Sequence, residues 1–309
     1  MASTLAADAR LLDKGQTLKI VVPFAAGGGV DNAARLLGEQ LRKAHGVTVI
    51  VENKAGASGS IGGKAVQTAA ADGTTLLFSA ATHVLAKQVL GSPPYDPQAD
   101  FVPVARVGEA PLLLAVSPQA DQKKLSDVLA AVRAQPDKWT AGIPAAGAPS
   151  HLATLLLARQ ANLKLTYVPY KGTQPALTDL AGGHIQMLMD SMVSMLPLAK
   201  AGKVRPIAIT SKKRSALAPD IATVDESGLA GFTYASWYGV WAPKGTPDER
   251  VKALNQAINA AVGELGKSGA FAALGIEPVS ETPDQFRRFI ANDVAQSAEL
   301  LKNAGFKPE

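Results

Sequence analysis

The chain has no cysteine, and aromatic residues fill only 5% of its 309 positions. Without thiols there can be no disulfide framework, no zinc–thiolate site and no cysteine nucleophile. Charged residues are sparse as well, at 18%, and no block of like charge marks a disordered tail. Lys and Arg outnumber Asp and Glu by 31 to 26, but the basic residues are scattered. The densest cluster, Lys212, Lys213 and Arg214, has no aromatic side chain interleaved with it, so nucleic acid is not an expected partner. A mild positive field suits small anions better.

No apolar run approaches the roughly 18–20 residues that a membrane helix needs. The opening "MASTLAADARLLDKGQ" has neither a basic n-region nor a long apolar h-region. Composition alone leaves two readings: a cytoplasmic protein, or an exported one whose signal has been cut away.

Familiar catalytic motifs are missing too. There is no G-x-x-x-x-G-K-[ST] phosphate loop. The G-x-S-x-G elbow fails twice, because Ser58 is followed by Ser60 where glycine is needed and Ser60 is preceded by Ser58. His45, His83, His151 and His184 are far apart, without metal-ligand spacing, and no carboxylate pair stands out for acid–base work. Catalysis has few candidates.

Hydrophobic residues make up 47% of the chain, enough for one large domain or two ordinary ones. From residue 19 to 115, β-branched runs such as "LKIVVPF", "VTVIVEN" and "TTLLFSA" alternate with the helical "NAARLLGEQLRKAHG", "KAVQTAAADG" and "THVLAKQVL". This alternation predicts a parallel sheet with helices on its faces. "SPPYDPQADFVPVARVG" reads as a proline-rich connection and "PLLLAVSP" (111–118) as a buried strand. A second strand–helix series follows, from "WTAGIP" to "VRPIAIT". Then come the strand "FTYASWYGVWAP" and two closing helices, about Asp248–Leu265 and Pro283–Ala304, placed to return to the first half. "VPFAAGG" (22–28) is echoed by "IPAAGAP" (143–149) at the equivalent point of each series. Two similar α/β halves facing one another are expected, with chain crossings near 112–117 and 236–242.

The most definite stretch is "VVPFAAGGGVDNAARLL" (21–37), a strand, three glycines and a helix start. Glycine admits close backbone approach, and a fresh helix offers unpaired N–H groups and a positive dipole end, so an anion site is expected. A dinucleotide site is the nearest rival: Gly27 and Gly29 supply two glycines of G-x-G-x-x-G, and Glu52 ends the next strand. Asn32 stands where the third small residue belongs, however, and that fold leaves the second glycine loop, "GASGSIGG" (56–63), unexplained.

The ordered motifs "VVPFAAGGGVDNAAR", "VENKAGASGSIGG", "DGTTLLFSA", "PYDPQADFVPVARV", "HLATLLL", "VPYKGTQPALTDLAGGHIQM", "GKVRPIAIT" and "GVWAPKGTP" resemble the solute-binding proteins of tripartite tricarboxylate transporters, the Bug (Bordetella uptake gene) family. The likeness spans roughly residues 18–309. It implies an α/β, two-lobed periplasmic binding protein of Venus-flytrap type, with the lobes joined by two crossing strands. The expected division is residues 1–113 with 239–309 in lobe 1 and 114–238 in lobe 2. It also implies a periplasmic location with the export signal already removed, no cofactor, no metal and no catalytic residue. The partners it implies are a small organic acid and the membrane components of a tripartite tricarboxylate transporter, with the receptor itself a monomer. Two rival classes remain: an enzyme acting on a small carboxylate, and a solute sensor feeding a signalling partner.

Carried over from the family, the first-lobe glycine loops grip a ligand carboxylate through backbone amides and hydroxyls. The residues are Phe24, Ala26, Gly27, Gly28, Gly29 and Val30, then Ala57, Ser58, Gly59 and Ser60. These loops supply no strong acid to pair with a ligand amine. Ser79 and Thr82 line the end of the third strand, with helix capping as the alternative. From the second lobe, Gly147, Ser150 and His151 are expected to meet the far end of the ligand; His151 alternatively packs or caps. Tyr170, Lys171, Gly172 and Thr173 form the "PYKG" turn, where Lys171 either steers anions or is simply solvated. Asp190 caps a helix or holds a water, a ligand hydroxyl or a ligand amine. Trp237, Tyr238 and Trp241 are expected in core or hinge packing.

Overall fold

The β-branched run before the first glycine loop becomes β1 (Thr17–Val22), which pairs in parallel with β2 (Thr48–Asn53) on one side and β3 (Thr75–Ser79) on the other. The structure is a computed structural model that describes residues 16–308. Residues 1–15, assigned above to lobe 1, lie outside the described residues. The pleat sends Ile20 and Val22 to one face and Val21 to the other. α1 (Gly29–His45) lays Ala33, Ala34, Leu37 and Leu41, at helical spacing, on the first face. α2 (Ser60–Gln67) covers the second face together with two single turns, α3 (Ala81–Val84) and α4 (Ala86–Val89). The single helix expected over 82–90 breaks at Leu85, whose ψ of 9° leaves the α region.

β4 runs unbroken from Phe101 to Val116, so "FVPVARVG" is strand rather than connection. Pro103 misleads the sequence reading because proline cannot donate to a ladder. Here the register slips between Pro103 and Ala105, and a bulge tolerates the missing donor.

The second lobe adds α5 (Leu125–Ala134), β5 (Thr140–Ile143), α6 (Pro149–Gln160), β6 (Thr166–Pro169), α7 (Thr173–Gly182), β7 (Met187–Ser191), α8 (Met192–Lys200) and β8 (Arg205–Ile209). β6, β5 and β7 are parallel neighbours, and β7 runs antiparallel to the last five residues of β4. α5 and α6 bury Val128, Leu129, Ala153 and Leu157 on one face of this sheet, and α7 and α8 bury Leu177, Leu180 and Met195 on the other.

β9 (Ala235–Pro243) then pairs antiparallel with β3 and with β4 from Phe101 to Pro111. Only the outer strands of lobe 1 are therefore parallel. β8 and β9 lie end to end along β4, Ile209 opposite Leu113 and Ala235 opposite Pro111. Thr210, fully buried, ties this joint. Its N–H donates to the Leu112 carbonyl (3.0 Å) and the Tyr234 N–H donates to the Thr210 carbonyl (2.9 Å). The Leu112 N–H donates to Thr210 Oγ1 (2.7 Å), which in turn donates to the Tyr234 carbonyl (2.7 Å).

The two lobes are thus joined by two crossing strands, β4 and the β8–β9 line. β4 changes partners between Pro111 and Leu112, and the second exchange falls at Tyr234–Ala235, just ahead of the 236–242 expected. The aromatic run in β9 signals burial in lobe 1, not the crossing itself. α9 (Asp248–Lys267) returns beside α1 through Val251, Leu254 and Ile258. β10 (Glu277–Pro278) adds to β4, and α10 (Pro283–Asn303) covers the far face with Phe286 and Ile290. That apolar cluster also takes in Leu152 and Leu155 of α6, so the lobes share a core beside the crossing.

Candidate functional site

Between the lobes lies a chamber that adjoins an outer vestibule. Phe24, Pro144, Ala145 and Gly172 line both. The echoed loops, "VPFAAGG" and "IPAAGAP", meet here across the cleft, each at the point where a strand gives way to a helix. Four helices of nine residues or more point their N-termini inward. They contribute Gly28, Gly29 and Val30 (α1), Ala148, Pro149 and Ser150 (α6), Gly172 and Thr173 (α7), and Asp190 and Ser191 (α8). Each N-terminus carries roughly half a positive charge and donors without intrahelical partners. No Lys, Arg or His lines the chamber among the described residues, so the positive charge it can offer an anion there is that of the helix N-termini.

The first glycine loop is shaped by a residue the sequence reading passed over. Asp31, in the first turn of α1, accepts the Gly27 N–H (2.9 Å), Arg35 Nε (3.0 Å) and Asn53 Nδ2 (2.8 Å). Asn53 also donates to the Phe24 carbonyl (3.0 Å), and Arg35 donates to Asn53 Oδ1 (2.8 Å). Burial raises the Asp31 pKa, but the Arg35, Gly27 and Asn53 bonds outweigh it and hold the carboxyl below its usual range. The Gly27 N–H is therefore engaged inside the protein. Among the three glycines only Gly27, at φ +87°, needs glycine for its backbone; Gly28 sits at φ −78°. Gly29 is required by close approach instead: a Cβ there would stand 2.7 Å from Ser191 Oγ and 2.9 Å from the Tyr238 hydroxyl. The lobes touch at this seam, where Ser194 Oγ donates to the Gly27 carbonyl (3.4 Å).

The chamber holds polar groups that protein partners do not satisfy. Thr82 Oγ1, Ser191 Oγ and Asp190 Oδ2 are buried without a hydrogen bond. Asp190, 8% exposed, accepts the Ser191 N–H through Oδ1 (2.7 Å). Burial pushes its pKa up, while the nearby Thr173 hydroxyl and the Ser191 N–H pull the other way. Asp190, expected at the site, lines the chamber, and so does Asp31, the acid beside the first glycine loop that the sequence did not single out.

Of the residues expected at the site, Phe24, Gly28, Gly29, Val30, Thr82, Ser150, Gly172, Thr173 and Asp190 line the chamber. Ala57, Ser58, Gly59, Tyr170 and Lys171 line the vestibule. Ala57 and Ser58 both have positive φ (45° and 49°), a strained conformation held by a turn that closes from the Gly59 N–H to the Gly56 carbonyl (3.0 Å). Ala26, Gly27, Ser60, Ser79, Gly147 and His151 line neither space. The His151 ring turns away from the cleft, its Nδ1 accepting the Gly147 N–H (3.1 Å) and its faces meeting Tyr167 and Phe306. Desolvation lowers its pKa to about 4. Ser79 is fully buried. Ser191, Ser236 and Tyr238 were not expected on the chamber wall. The alternation of β9 could have flagged the last two, since Trp237 and Trp241 pack under α10 and the alternate positions, Ser236 and Tyr238, must face the other way. Among the described residues no cluster of three or more His, Asp or Glu could hold a metal, and no helix is long and apolar enough to cross a membrane.

Residues 33–306 match the family model described as "Tripartite tricarboxylate transporter family receptor". Protein BugT of Bordetella pertussis is 37% identical over 94% of this chain and 90% of its own length. Among solved structures, the periplasmic binding protein BugD superposes with a TM-score of 0.88 at 35% identity, covering 96% of this chain and 99% of its own. An R. palustris protein solved with adipate superposes at 0.91 and 32% identity, covering 96% and 100%. MatC from Rhodopseudomonas palustris with bound malate superposes at 0.85 and 32% identity, covering 93% and 99%.

Proposed function

The chain belongs to the tripartite tricarboxylate transporter receptor family, a family of solute-binding receptors and not of enzymes, and from that premise we propose that it captures a small organic acid between its lobes. One observation carries the reading: four helix N-termini from both lobes converge on one chamber that has no basic side chain. A carboxylate gains several charge-assisted bonds from such preorganised donors, each roughly twice as strong as a neutral one. The two relatives solved with adipate and malate support an acid as the cargo. In this reading the receptor works in the periplasm and hands its ligand to the membrane components of a tripartite transporter.

Because the chamber wall is built from both lobes, a ligand touching both walls favours closure in proportion to the contacts that only the closed state makes. The lobes turn about Pro111–Leu112 and Tyr234–Ala235, where the strands change partners, each lobe moving as a body. Calorimetry against an acid and its methyl ester tests the chemistry, and equal affinity for the two refutes it. Small-angle scattering tests the motion: ligand is expected to shrink the radius of gyration, and an unchanged radius at saturation refutes closure.

A further inference from the structure

The chamber contains a carboxylate that the anion-binding reading does not use. Of its two acids, Asp31 is neutralised by Arg35 and further held by Asn53 and the Gly27 N–H, all within 3.0 Å. Asp190 has no such cover. Among the described residues no cation lines the space, its Oδ1 is taken by the Ser191 N–H, and Oδ2 is buried without a hydrogen bond of ordinary geometry, the Thr173 hydroxyl lying nearby. A polar atom more than nine-tenths buried and left unpaired is rare in proteins, because it forfeits water for nothing. Thr82 Oγ1 and Ser191 Oγ are unpartnered on the same walls, so the open valence belongs to a group of side chains and not to one stray atom.

We propose that Asp190 sets the ligand class, so that the receptor prefers a carboxylate whose other end carries a hydrogen-bond donor (a hydroxyl, an amide or an ammonium) over the dicarboxylate of the same length. The inference rests on the acid-receptor reading above. The helix N-termini provide for one carboxylate. A second one brought up to Asp190 would set two anions against each other in a space with no cation to divide them, whereas a donor would fill the vacant Oδ2. Burial raises the Asp190 pKa, and the Ser191 N–H and the Thr173 hydroxyl offset part of that rise by favouring the ionised, acceptor form. Leaving a buried acceptor unpaired is costly, so matched ligands should differ by about tenfold or more.

The test is calorimetry on the whole chain with three matched pairs: succinate and its monoamide, adipate and its monoamide, terephthalate and its monoamide. In each pair that binds, the monoamide is expected to be at least about tenfold tighter than the diacid. Asp190→Asn keeps the Oδ1 acceptor for Ser191 and is expected to erase or reverse that ratio. A diacid that binds the unaltered receptor as tightly as its monoamide overturns the inference, as does a ratio that Asp190→Asn leaves intact. The comparison on the unaltered receptor decides the matter even if the variant folds poorly. Binding by none of the six overturns the acid-receptor reading itself, which is a different failure.

Discussion

Replacing Thr210 by valine removes one hydroxyl, keeps the shape of the side chain, and so isolates the joint between the crossing strands. Two backbone groups lose partners: the buried Leu112 N–H, which donates at 2.7 Å, and the part-buried Tyr234 carbonyl, which accepts at 2.7 Å. A buried polar group left unpaired costs about 1–3 kcal/mol. The Leu112 N–H bears that cost fully; the Tyr234 carbonyl has some access to water and bears less. The added methyl returns about 0.8 kcal/mol at most. The net loss should be about 1–3 kcal/mol. Urea unfolding followed by the fluorescence of Trp237 and Trp241, which pack against α10 beside the crossing, should show a lower midpoint with an unchanged slope. Thr210→Ser keeps the hydroxyl and should lose less than the valine variant. A valine variant within about 0.5 kcal/mol of the parent, or a serine variant that loses more, refutes the idea that this hydroxyl pins the joint.

Gly29→Ala should weaken ligand binding roughly 5–150-fold, because its Cβ would meet Ser191 Oγ at 2.7 Å across the seam and closure must displace it. Gly28→Ala, whose Cβ would meet nothing nearer than Thr173 Oγ1 at 3.7 Å, should change affinity little; equal titrations for the two variants would refute the seam. Acid should destabilise the receptor through its buried histidines. Burial lowers the His83 pKa to about 3, so its stabilising effect is present above the unfolded value near 6.5 and fades as pH falls toward 3. By linkage this one group removes about 2 kcal/mol between pH 7 and pH 5, and His83→Phe should flatten that limb of the stability curve; an unaltered limb refutes the assignment. Asp31→Asn should loosen the first glycine loop and lower affinity several-fold, measured by calorimetry, by weakening the acceptor that Gly27, Arg35 and Asn53 share.

The periodic signals were strong where burial is one-sided or helices are long. α1, α9 and α10 could be placed within a few residues because their apolar positions recur at helical spacing, and the parallel strands of lobe 1 because β-branched runs alternate with those helices. β4 was half missed for a local reason: Pro103 argues against a strand unless the bulge is known, and a bulge is a property of the pairing. The glycine loops announced an anion site, yet Asp31 did not stand out, since a carboxylate in a first turn is common and its three partners come from residues 27, 35 and 53. His151 is the converse, conspicuous as a residue type but turned by the Gly147 N–H toward Tyr167 and Phe306. Ser191 reaches the wall through the pairing of β7 with the distant β4, which spacing along the chain cannot reveal, whereas Tyr238 was legible in the alternation of β9.

The position of β9 has a consequence for how the chain acquires this shape as it is made. β9 separates β3 from β4 in the first sheet, yet it is synthesised after every strand of the second lobe. A nascent chain ending at Tyr234 could complete the second lobe while β3 still presented an open edge and the first lobe lacked α9 and α10. Contacts this remote in sequence carry a high loop-closure cost and form late. The first lobe thus waits for the last quarter of the chain, and until then its exposed edge is the place where it is most vulnerable to pairing with a neighbour.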